Sequence, residues 1–76
     1  MNTRLLILFR ERKKYSQQQM AEMLGYKSKA SYCLIESGKT KVHIDLANKI
    51  SNILELNNEE ILKLFFTTKV LEIQTN

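Results

Sequence analysis

The 76-residue sequence allows one domain near the lower limit of independent folding, where only about 60% of the unfolded surface can be buried. Apolar residues at 43%, charged residues at 26%, no proline and only two glycines exclude a disordered chain and favour an all-α bundle of four to five short helices. Residues 1–49 hold ten Lys/Arg against four Asp/Glu and residues 50–76 two against four, so a basic part suited to nucleic acid is backed by a slightly acidic end.

A cationic surface that merely aids solubility is the competing explanation of that charge. Cys33 is the only cysteine, which excludes an internal disulfide and a metal site built from a Cys cluster and suits a reducing compartment. The longest apolar run, Leu5 to Phe9, is too short to span a membrane or to serve as a secretory signal, so a cytoplasmic protein is expected.

Thr3 is the expected N-cap of a first helix reaching about Lys14. Leu6, Phe9 and Lys13 share a stripe, whereas Ile7 and Leu8 fall outside it. Leu5–Phe9 alone is compatible with a strand, but the Arg-Glu-Arg-Lys-Lys continuation favours helix. In the second helix, Ser16 with Gln19 forms a capping box, Tyr15 is placed to pack on Met20, and Met20, Ala21 and Leu24 face inward. Gly25 supplies the left-handed residue that ends it.

Ser28 is the expected cap of a third helix from Lys29 to about Ser37, stopped by Gly38. Tyr32 and Ile35 point to the core; Ala30, Ser31, Cys33 and Leu34 remain near the outer face. A fourth helix, from about Ile44 to Leu54, has Ile44, Ala47, Ile50 and Leu54 as its inward stripe, with Asp45 at the favourable end of the helix dipole. Asn57 or Asn58 caps a fifth helix in which Ile61, Leu64 and Phe65 face inward. In residues 67–76, Val70, Leu71 and Ile73 could extend the helix or form a short strand, with irregular or helical chain favoured. Two short helices joined by a tight turn within Ser16–Lys39, framed by basic residues, point to a helix-turn-helix that offers its second helix to a polyanion, foremost duplex DNA.

The sequence resembles the Cro/repressor-type, or XRE-like, helix-turn-helix family. The resemblance rests on Leu6, Phe9 and Arg10, on S-Q-x-x-M-A-x-x-L-G at Ser16–Gly25, on Tyr32, Ile35 and Glu36, and on Gly38-Lys39. It covers roughly residues 3–66 and implies a lambda-repressor-like DNA-binding domain at 1–66; the tail at 67–76 is a candidate for dimerisation. Three positions depart from the family pattern. The span from Gly25 to Glu36 is one residue longer, Lys14 replaces a usual glycine, and Val42 replaces a frequent proline.

The resemblance implies a structural ion pair between Arg10 and Glu36, and a third helix docked in the major groove. Gln17, Lys27, Ser28, Lys39 and Lys41 are the expected phosphate contacts. Lys29, Ala30, Ser31 and Leu34 are the expected base readers: Lys29 donates to guanine, Ser31 pairs with several edges, and Ala30 or Leu34 meets a thymine methyl. The helix has no Arg, Asn or Gln, so methyl contacts and DNA shape must carry part of the specificity. Tyr32 and Cys33 are expected to pack rather than to stack on bases or act as a nucleophile.

The family commonly binds as a dimer on half-sites about 34 Å apart. The surplus apolar residues Ile7, Leu8, Leu62, Phe66, Val70 and Leu71 are the candidate dimer face, unless they close a core beneath the tail. The leading expectation is a small sequence-specific transcription regulator, Cro- or repressor-like and of phage or mobile-element type. It would be cytoplasmic, nucleoid-associated when bound, and partnered by double-stranded DNA and a second copy. The alternative is an antitoxin-like protein-interaction module on the same scaffold. His43 is the only histidine and there is no glycine-rich phosphate loop, so no catalytic residue, cofactor, metal or small-molecule substrate is expected.

Overall fold

The computed structural model describes residues 1–66, which form α1 (Thr3–Arg12), α2 (Gln17–Met23), α3 (Lys29–Glu36), α4 (Ile44–Leu54) and α5 (Asn58–Phe65). No strand occurs among the described residues, and Leu5–Phe9 is helical. The tail 67–76, with Val70 and Leu71 of the expected dimer face, lies outside the described residues.

Asn2, not Thr3, caps α1: its side-chain oxygen accepts from the Leu5 amide at 3.1 Å. Both residue types suit a cap, and the helix simply begins one residue earlier than expected. The Asn2 amide also donates to the Leu64 carbonyl at 2.8 Å, which ties the start of the chain to α5. Ser16 and Gln19 form the expected capping box on α2, with bonds of 3.0 and 2.8 Å. Asn57 and Glu60 form a second one on α5.

Four of the five helices end in the same Schellman turn. Tyr15, Tyr26, Lys39 and Leu56 each donate back to a carbonyl five residues earlier, at Arg10, Ala21, Leu34 and Ser51. The residue before each donor is left-handed, with φ 62° at Lys14, 83° at Gly25, 80° at Gly38 and 55° at Glu55. Two of these turns therefore use glycine and two impose a side chain on a conformation that costs a non-glycine residue ~1–2 kcal/mol. The unusual Lys14 sits at one of the costly positions and stops α1 at Arg12, two residues short of expectation.

Leu6, Met20, Ala21, Tyr32, Ile35, Ile50, Leu54 and Leu64 are fully buried and join all five helices around one core. Phe9 and Leu24 lie at its edge, and Tyr15 packs against it partly buried. The α4 stripe is shorter than its spacing suggests: Ile44 is 68% exposed and Ala47 only half-buried. Ile44 opens the helix at the rim, where it lines an outer groove with Met1, Val42, Phe65 and Phe66 instead of reaching the centre. Buried Ser51 takes a place in that stripe by donating its hydroxyl to the Ala47 carbonyl at 2.8 Å.

Candidate nucleic-acid interface

One buried carboxylate ties α3 to α1 and α2. Arg10 Nε donates to Glu36 Oε2 at 2.5 Å and its Nη2 to Oε1 at 3.3 Å, which joins the end of α1 to the end of α3. The side chains are only 12% and 4% exposed, so this is an interior pair, not a surface one. Tyr32 Oη donates to Glu36 Oε2 at 2.6 Å and Gln17 Nε2 to Oε1 at 2.9 Å. Arg10 Nη1 also reaches the Tyr15 carbonyl at 2.9 Å, which secures the turn into α2.

Burial pushes the Glu36 carboxyl up, but the hydrogen bonds from Arg10, Tyr32 and Gln17 outweigh it and hold its pKa below the ordinary 4.5. The same bond to Glu36 raises the Arg10 pKa. Desolvation, followed by the adjacent Glu36, pushes the Tyr32 phenol up, so it remains a donor at neutral pH. The expected ion pair is thus present and is part of a larger network.

With Tyr32, Ile35 and Glu36 turned inward, Lys29, Ala30 and Leu34 are exposed and Ser31 is half-buried. The four expected base readers therefore lie on or beside the outer face of α3. Ser28 occupies its N-cap position, but its hydroxyl makes no capping bond. Lys27, Lys39 and Lys41 are exposed just before and after the helix.

None of these lysines, nor Lys29, forms an ion pair within the described residues. Two cations at the end of α1 behave otherwise: Arg12 meets Glu60 at 2.6 Å and Lys13, the C-cap, meets Glu55 at 2.7 Å. Between Glu22 and Asp45 the only carboxylate is Glu36, which is buried and paired. Among the described residues the α3 face is consequently positive without internal neutralisation.

Gln17 differs most from expectation. Its amide, expected to donate to phosphate, also donates one hydrogen to Glu36, and its oxygen accepts from Cys33 Sγ at 3.4 Å. The i, i+4 spacing of Tyr32 and Glu36 signals their contact in the sequence. Nothing in sequence spacing signals the meeting of Gln17 and Cys33, because two separate helices bring them together.

Of the described dimer-face candidates, Leu8, Leu62 and Phe66 are more than half exposed and Ile7 is half-buried. Phe66 belongs to the groove of about 440 Å³ that also contains Ile44 and Lys41. Among the described residues no group of His, Cys, Asp or Glu gathers in a way that would hold a metal, and no helix is long and apolar enough to cross a membrane.

The family model described as Helix-turn-helix matches residues 6–61, a span from α1 into α5 that includes the whole Glu36 network. Neither a curated protein nor a solved structure matches the chain. The family is one of DNA-binding, typically non-enzymatic domains of XRE type with a helical, lambda-repressor-like fold. The order of capped helices, the buried Arg10–Glu36 pair and the matched span agree: the chain belongs to the XRE-type helix-turn-helix family.

Proposed function

We propose that the protein is a sequence-specific regulator that binds duplex DNA with α3 in the major groove. The observation that carries this reading is the lysine frame around the exposed face of α3, which forms no ion pair among the described residues and is set on a helix tied down from within by Glu36. Lys27, Lys39 and Lys41 serve as phosphate contacts, with Ser28 beside them. Gln17 retains a second amide hydrogen for phosphate while its first holds Glu36. Lys29, Ala30, Ser31 and Leu34 meet base edges, and discrimination rests largely on methyl contacts and on how readily the DNA takes the required shape.

The protein acts as a homodimer, because a face with four candidate base readers contacts too few base pairs for one copy to define a site. The exposed apolar residues Leu8, Leu62 and Phe66 support a self-complementary contact. A cytoplasmic setting follows from the DNA partner. Selection of bound sequences from a randomised duplex pool tests the reading. It expects one enriched motif, repeated with two-fold symmetry about one helical turn apart. A pool that emerges without enrichment contradicts it.

A further inference from the structure

The polarity of the Gln17 amide is set by its surroundings. A carboxylate only accepts hydrogen bonds, so the amide edge facing Glu36 must be NH2, and the carbonyl must turn the other way. There it meets the thiol of Cys33, which donates at 3.4 Å. Cys33 and Glu36 are three residues apart and therefore lie on one face of α3 about one turn apart. One planar group at the first position of α2 thus spans a donor and an acceptor of α3, and reversing the amide would set oxygen against oxygen at Glu36.

Arg10 grips α3 at Glu36 alone, and Tyr32 belongs to α3 itself. Gln17 adds a second point, at Cys33. Burial of Tyr32 and Ile35 bars a roll by a whole residue, roughly 100°, but a smaller turn, or a slide of ~1.5 Å, would break one or both of these bonds. The roll of α3 decides which of Lys29, Ala30 and Leu34 is presented outward.

We infer that Gln17 is a positioning residue: its amide, held between Cys33 and Glu36, sets the roll of α3 and thereby the base sequence that α3 prefers. This rests on the DNA-binding reading and gives Gln17 a role distinct from any phosphate contact, because a phosphate contact carries no sequence information. Cys33 contributes as the donor that orients the amide.

The test is sequence selection from a randomised duplex pool by the full chain as wild type, Gln17→Leu, Cys33→Ala and Cys33→Ser. Folding of each variant is checked by circular dichroism. Relative affinities are then measured for the wild-type motif and its single-base variants. A mismatch ordinarily costs ~5–150-fold. Gln17→Leu and Cys33→Ala are expected to shrink that ratio or change the favoured base at positions under α3, whereas Cys33→Ser keeps a donor and the wild-type preference. If both variants select the wild-type motif and weaken all sequences by one common factor, the positioning role is overturned while DNA binding stands. If the wild type itself enriches no motif, the DNA-binding reading falls first. Should Gln17→Leu fail to fold, the contrast between Cys33→Ala and Cys33→Ser decides alone.

Discussion

Arg10 and Glu36, 26 residues apart in sequence, meet through two hydrogen bonds of 2.5 and 3.3 Å in the interior between α1 and α3. Such a pair gains little over an apolar contact of the same shape, but removing one member leaves the other charged and buried. Glu36→Ala is therefore expected to lower unfolding stability by ~3–5 kcal/mol. Tyr32→Phe, which removes one hydrogen bond to a charged group, should cost ~1.5–3 kcal/mol. Urea unfolding followed by circular dichroism measures both, and curves that overlay the wild type would remove the network from the account of stability.

The same carboxylate makes stability depend on acid. Its folded pKa lies below the ordinary 4.5, so between the folded and unfolded values the unfolded chain binds the extra proton. The stabilisation is complete above about pH 4.5 and is lost as pH falls through the folded value. Glu55 and Glu60 shift the same way through their bonds to Lys13 and Arg12, but on the surface. Thermal melts across acid pH should show wild type losing stability faster than Glu36→Gln. Parallel pH profiles would contradict this.

Lys14 offers a gain instead of a loss. It holds φ 62° in a Schellman turn that Gly25 and Gly38 make without a side chain. It forms no ion pair among the described residues. Lys14→Gly should stabilise by up to about 1 kcal/mol, since relief of the left-handed strain is partly offset by the added freedom of the unfolded chain. Glu55→Gly relieves the same strain but breaks the contact with Lys13, so its gain should be smaller. A lower melting temperature for Lys14→Gly would refute the strain argument.

Much of this architecture was legible because short-range rules governed it. The Ser16–Gln19 box, the Gly25 and Gly38 stops and the buried Ile50, Leu54 and Leu64 follow from local chemistry and helical period. The first cap falls at Asn2 and not at Thr3 because the two are adjacent residues of similar capping ability. Ile44 matched the inward period of α4 but sits beyond the end of the core, which periodicity does not record. In the candidate site, the outward face of α3 and the Arg10–Glu36 pair were readable. The engagement of Gln17 was not, because a glutamine after an N-cap carries the same local signal whether it faces solvent, phosphate or a neighbouring helix.

The proposed dimer is tested at Phe66, which is 57% exposed at the end of α5. Phe66→Glu removes apolar area and places like charges together across a two-fold contact. Sedimentation should show a dimer for wild type and a monomer for the variant at equal concentration, with weaker binding to a two-half-site duplex. Equal masses and equal DNA affinity would exclude Phe66 from the interface.

Engagement of duplex DNA by α3 and its lysine frame is best checked by the salt dependence of affinity for the selected duplex. Wild type should show log affinity falling linearly with log salt, by a slope of about 0.9 for each phosphate neutralised. Lys39→Ala should reduce that slope by about 1 while weakening all sequences alike, and Lys29→Ala should also relax discrimination at one base position. A flat salt dependence, or two variants that bind as wild type does, would contradict the claim.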